Sequence, residues 1–121
     1  MLDHIGFEVS DIGRSAAFYD ALFFPLGVRR LHEGDGAIAY GVDEPMFWIV
    51  MRGRGPGPGY GHVALRASGR PAVDAAHAAG ISHGGSDDGA PAHRPEYGAL
   101  YYSGYLLDPD GYRCEVVAGN R

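Results

Sequence analysis

Lysine is absent from the sequence, and all ten cationic side chains are arginines. That excludes Schiff-base chemistry at a lysine, a lysine general base, and a phosphate loop of the Walker type, which depends on its lysine. Cysteine is almost absent as well. Cys114 stands alone, so it has no intrachain disulfide partner and cannot build a cysteine-rich zinc site, and a reducing cytoplasmic compartment is expected. The longest run of large apolar residues, Met46 to Met51, falls far short of the ~20 that span a bilayer, and the N-terminus has no basic region followed by an apolar stretch. Basic charge is also scarce: fifteen acidic side chains against ten basic ones give a formal net charge of −5. No cationic excess is left to neutralise phosphates or an anionic membrane surface, so neither nucleic acid nor membrane is an expected partner.

What is present fits one folded domain. The 121 residues are 45% hydrophobic and 21% charged, enough to bury a core. Glycine and proline crowd into one segment, Gly-Arg-Gly-Pro-Gly-Pro-Gly-Tyr-Gly at 53–61, which can hold neither a helix nor a central strand. It reads as a linker over about 53–60, separating a first module of about 1–52 from a second of about 61–118. The two halves resemble each other. His4-Ile-Gly-Phe-Glu-Val-Ser and His62-Val-Ala-Leu-Arg-Ala-Ser share one apolar and polar pattern, and each runs into a helix start: Ser10 or Asp11 in one, Ser68 with Pro71 in the other.

The spacing predicts a helix from about Ile12 to Phe24, stopped by Pro25 and Gly27, and a second over about Arg70 to Ala79, ended by Gly80. Strand patterns follow each helix. They lie near Val28 to His32, Ala37 to Tyr40 and Met46 to Met51 in the first half, and at Ile81 to Ser82, Ala99 to Leu107 and Tyr112 to Val117 in the second. The class is α+β, with each half ordered strand, helix, then three strands. The stretch from His83 to Tyr97 reads as a long loop suited to a lid.

Strand parity then sorts the polar residues. If Ile5, Phe7 and Val9 meet the helix, His4 faces the other way; Val63, Leu65 and Ala67 place His62 likewise. In Leu107-Asp108-Pro109-Asp110-Gly111-Tyr112, the Asp, Pro and Gly suit a three-residue hairpin loop with a left-handed glycine. That register sets Tyr105 opposite Glu115 and Leu107 opposite Arg113, and leaves Cys114 facing the helices as an inert thiol. A lone histidine on a strand is ordinarily a solvated or hydrogen-bonded side chain. Two histidines in matching places, with Glu115 on the same face, instead form the ligand set of a divalent metal ion such as Fe, Mn, Zn or Ni with open positions for substrate. Tyr105 as a proton donor competes with Tyr105 as a packing residue of the wall, the commoner role of such a side chain. Arg66, His93, Arg94 and Arg113 could meet an anionic substrate or simply be solvated, and Phe47 and Trp48 read as core or pocket lining.

These residues also carry a resemblance. His4-Ile-Gly-Phe-Glu-Val-Ser-Asp, Arg14-Ser, Phe18-Tyr19, Leu26-Gly27, Gly61-His62-Val63-Ala64 and Leu107-Asp108-Pro109-Asp110-Gly111 with Glu115 resemble the vicinal oxygen chelate superfamily over nearly the whole chain. That group contains glyoxalase I, fosfomycin-resistance thiol transferases, extradiol dioxygenases and bleomycin-binding proteins. The resemblance implies paired βαβββ modules forming partial barrels, a homodimer, a small-molecule substrate, and metal ligands at His4, His62 and Glu115, shared between modules or chains. It implies a catalytic role for Tyr105, which stands ten residues before the last ligand as in extradiol dioxygenases. Glyoxalase I adds a Glu or Gln on the fourth strand, where this chain has only Met46 to Met51, with Glu44 outside it. Extradiol dioxygenases carry an acid/base histidine shortly before the second ligand, and none precedes His62 closely. The expected activity is therefore metal-dependent chemistry on a small, vicinally oxygenated substrate other than that of glyoxalase I. The alternative is a metal-free, bleomycin-resistance-like binding protein.

Overall fold

Asp11 starts the first helix by accepting a hydrogen bond from the Arg14 amide at 3.0 Å, which satisfies one of the unpaired N–H groups of the first turn. From there Ser15, Ala16, Phe18, Tyr19, Leu22 and Phe23 recur at helical spacing and are all buried. In the computed structural model, which describes residues 1–119, helix α1 spans Ile12–Phe23 and tightens into a 3-10 turn at Phe24–Leu26. Gly27, at φ 75°, closes that turn in the left-handed region that glycine enters without strain.

Around α1 the first module builds β1 (Ile5–Glu8), β2 (Arg29–Gly34), β3 (Ala37–Gly41) and β4 (Pro45–Val50). The second repeats the order with β5 (His62–Arg66), α2 (Arg70–Ser82), β6 (Ser86–His93), β7 (Tyr102–Leu107) and β8 (Arg113–Ala118). The sheets are ordered β1-β4-β3-β2 and β5-β8-β7-β6, each with one parallel pair, β1 with β4 and β5 with β8. The expected α+β architecture of two βαβββ modules is what the chain adopts. Helix α1 begins at the same distance in sequence from His4 as α2 does from His62.

Both helices pack on each other and share one core. Phe18, Tyr19 and Leu22 from α1 and Val73 and Ala76 from α2 meet Phe47 and Ile49 of the first sheet and Leu106, Cys114 and Val116 of the second. Each large apolar side chain so buried contributes roughly 1.5–3 kcal/mol. The junction between modules is also hydrogen-bonded. Asp110 accepts from the Ser10 amide and hydroxyl and from Arg14 Nη2; Tyr19 donates to buried Asp108 at 2.6 Å; Tyr112 donates to the Glu8 carbonyl at 2.7 Å and stacks on Phe7.

Three sequence expectations are corrected. Helix α2 does not end at Gly80 but continues to Ser82, taking in the residues Ile81 and Ser82 that read as a short strand. Gly80 is there for packing: a Cβ at that position would stand 2.5 Å from Leu106 Cδ1 and 3.2 Å from Phe18 Cε1. The stretch read as a lid, His83 to Tyr97, contains strand β6, which pairs with β7 through two register shifts despite Gly89 and Pro91. Its place at the edge of the sheet is what tolerates the proline, which has no N–H to donate. Finally, β7 begins at Tyr102 rather than Ala99, with residues 94–101 forming a hydrogen-bonded turn.

Candidate functional site

The β7–β8 hairpin sets the site. Asp108 Oδ1 accepts from the amides of Asp110 and Tyr112 at 2.9 Å, and Gly111 sits at φ 93°. The turn thereby enforces the expected register, Tyr105 opposite Glu115 and Leu107 opposite Arg113. Cys114 then points into the core, fully buried, and burial pushes its thiol pKa up to about 12. Glu115 takes the opposite face.

Strand β8 lies beside β5, with Ala64 as the backbone partner of Glu115 and His62 at the strand start. His62 Nε2 comes within 3.1 Å of Glu115 Oε1. Tyr101 donates its hydroxyl to the other oxygen, Oε2, at 2.6 Å. Glu115 is only 2% exposed, so its charge is taken out of water and sustained by these polar neighbours. Tyr105 stands edge-on to the imidazole, ring centroids 5.9 Å apart. Burial first, and the adjacent Glu115 carboxylate second, raise its pKa above that of an ordinary phenol. The guanidinium carbons of Arg94 and Arg113 lie 5.0 and 4.2 Å from the Tyr105 ring centroid. Arg113 is tied to Asp88, and Arg94 to Ser103 and the Ala90 carbonyl.

The structure brings His62, Glu115 and Tyr105 together but not His4. His4 precedes β1 and donates through Nδ1 to the Asp3 carboxylate at 2.7 Å. It lines an open groove with Glu8, Asp35, Trp48 and Arg52, whereas His62 borders a separate cleft with Ile5, Phe7, Pro58, Tyr112 and Arg113. Among the described residues no three His, Cys, Asp or Glu side chains converge as a metal site. The pair alone nevertheless suits an ion. Two donor atoms each ~2.1 Å from one cation, at about a right angle, lie ~3 Å apart, and His62 Nε2 and Glu115 Oε1 are separated by 3.1 Å. An Nδ1–carboxylate contact like that of His4 is also the usual way a ligating imidazole is oriented.

Parity reasoning missed Tyr101. The signal was available: Tyr101, Ser103 and Tyr105 alternate toward one side in the stretch read as a strand. His93 is structural here, its Nε2 donating to the Ala99 carbonyl at 2.8 Å. Phe47 is core, and Trp48 lies across from Gly6 and against His32.

Two βαβββ modules, each presenting a polar face opposite its helix, define the glyoxalase-like fold. The chain belongs to the Glyoxalase/Bleomycin resistance protein/Dioxygenase superfamily, whose profile matches residues 1–116. It is similar to a glyoxalase/bleomycin resistance protein from Albidiferax ferrireducens T118, at 30% identity over 97% of both chains with a TM-score of 0.85. Two further structures share the fold at lower identity. A fosfomycin resistance protein from Mesorhizobium loti is 18% identical over 99% of this chain and 92% of its own, TM-score 0.73. A lactoylglutathione lyase from Agrobacterium tumefaciens is 20% identical over 96% and 91%, TM-score 0.67. No curated protein sequence matches the chain significantly. No helix among the described residues is long and apolar enough to cross a membrane.

Proposed function

We propose that this chain is a divalent-metal-dependent enzyme acting on a small substrate with two adjacent oxygens, and that its site is shared between two copies. His62 and Glu115 come from one copy and His4 from the other, with residues 1–52 and 61–118 as the modules that exchange faces. The observation that supports this most directly is the 3.1 Å approach of His62 Nε2 to the Oε1 of a buried carboxylate. A divalent ion held there would supply Lewis-acid stabilisation of negative charge developing on a substrate oxygen. The protein's own groups do the rest. Glu115 is held by Tyr101 and His62; the cleft beside His62, walled by Ile5, Phe7 and Tyr112, shields apolar substrate atoms from water. Tyr105, a phenol neutral at physiological pH, holds a proton beside His62 and can give it to a strongly basic intermediate and retrieve it.

A metal-free binding protein is the second reading. It is favoured by the fact that His62 and Glu115 already satisfy each other and that one chain supplies no third donor among the described residues. Elemental analysis after supplementation with Mn(II), Fe(II), Zn(II) or Ni(II), combined with calorimetric titration, separates the two. The enzyme reading expects near-stoichiometric metal per site, lost in His62→Ala, whose metal-free form stays folded and melts only modestly lower for want of one Glu115 partner. Occupancy below about a tenth of an equivalent for every ion would leave the binder.

A further inference from the structure

The Glu115 carboxylate has two oxygens, and they are not treated alike. Oε1 faces His62 Nε2, while Oε2 accepts the Tyr101 hydroxyl. Tyr101 lies just before β7, 6% exposed, at the end of the turn that begins at Arg94. That turn is closed by hydrogen bonds from the Arg94 amide to the Tyr101 carbonyl, 2.8 Å, and from the Tyr101 amide to the Gly98 carbonyl, 3.2 Å. The Tyr101 ring meets the Tyr97 ring edge-on at 5.4 Å. Its chain neighbour Leu100 is pressed against the end of β8. A Cβ on Gly119, which sits at φ 93°, would lie 1.9 Å from the Leu100 carbonyl oxygen, so only glycine permits this approach. The hydroxyl therefore reaches Glu115 from a backbone fixed at both ends, and the bond to a buried carboxylate is short and charge-assisted.

We infer that Tyr101 is a positioning residue that selects Glu115 Oε1, the oxygen beside His62, as the one offered to the metal. This rests on the metal reading above. Without the hydroxyl the carboxylate is free to turn about its last torsion, and the oxygen next to His62 is no longer specified. Residues that orient a ligand in this way typically govern about 10- to 100-fold in metal affinity.

Calorimetric titration with Mn(II) and Co(II) of the full-length protein, Tyr101→Phe, Tyr97→Phe and Glu115→Gln tests it, with thermal melts of each metal-free form. Tyr101→Phe is expected to bind about 10- to 100-fold more weakly, to alter the visible Co(II) absorption bands, and to remain cooperatively folded with a lowered melting temperature in the metal-free form, since a buried carboxylate loses one partner. Tyr97→Phe, whose ring packs on Tyr101 without reaching Glu115, is expected to bind as wild type does. Binding by Tyr101→Phe within a factor of about two of wild type would overturn the inference while leaving the metal reading in place. Failure of the wild type itself to bind would overturn that reading, and this inference with it. If Tyr101→Phe does not fold, proton NMR of the wild type decides. A protected, downfield Tyr101 hydroxyl proton that shifts on metal addition supports the assignment, and one that ignores the metal refutes it.

Discussion

The polar faces of the two modules start from the same plan and end differently. His4 and His62 hold equivalent places, and the strand beside each is reached by the same parallel pairing: Trp48 lies opposite Gly6 as Glu115 lies opposite Ala64. In the second module that neighbour is a carboxylate, buried and bonded to His62 and Tyr101. In the first it is an indole, which donates and cannot ligate, and His4 is left exposed with Asp3 as its partner. The two histidines thus hold matching places, and the residue on the adjoining strand, Glu115 in one module and Trp48 in the other, gives only His62 a buried carboxylate partner.

The largest effect that would break this comparison is on metal binding. His62→Ala should weaken Ni(II) or Mn(II) binding by at least about 100-fold, taking ion-binding free energy as divided among a few ligands. Where the site is shared, His4→Ala should weaken it too and remove the dependence of wild-type affinity on protein concentration, because the donors that remain, His62 and Glu115, lie on one chain. Trp48 is the chain's only tryptophan and lines the groove of His4. A paramagnetic ion should therefore quench its fluorescence where the site is shared, and unchanged emission at saturation would confine the site to the second module.

Next in size is the joint between modules. Asp110, its side chain 2% exposed, accepts from Ser10 and Arg14; Asp110→Ala should cost about 2 kcal/mol in urea unfolding. Loss well under that would mean the shared core alone holds the modules in place.

Cys114 provides a pH test. Its folded pKa is raised from 9.0 to about 12, by burial first and by Asp108 second. The unfolded chain therefore loses this proton at lower pH than the folded one. The contribution is complete below about pH 9 and disappears as pH climbs toward 12. Denaturation midpoints measured from pH 8 to 11 should fall, and fall less in Cys114→Ala; an aromatic thiol reagent should modify Cys114 no faster than the chain unfolds. The smallest effect is expected from Arg54→Ala, which removes an exposed ion pair with Glu8. Its melting temperature should stay within error, because exposed pairs contribute little, and only proteolysis within the Gly/Pro segment should quicken.

Local chemistry made the hairpin and the second-module pair legible in the sequence. Asp108, Pro109 and Gly111 dictate a loop length, loop length dictates register, and register puts Tyr105 across from Glu115. The helices were readable from apolar spacing for the same reason. Strand β6 was not, because Gly89 and Pro91 argue against a strand locally and only pairing with β7 overrides them. Gly80 misled in the same way: its purpose is to admit Leu106 and Phe18, partners distant in sequence. Parity showed that His4 points away from its helix but not where one sheet lies relative to the other. The separation of His4 from Glu115 is a property of that packing and not of either strand.

Strand β6 carries one more consequence. Each sheet has two margins, β1 and β2 in one and β5 and β6 in the other; β2 carries Arg29, Arg30, His32 and Glu33, and β6 carries Asp87, Asp88, Gly89 and Pro91. Like charges, a missing amide and broken pairing make such margins poor templates for adding a foreign strand. Self-association by sheet extension at these two margins, the route that leads to fibrils, is thereby discouraged.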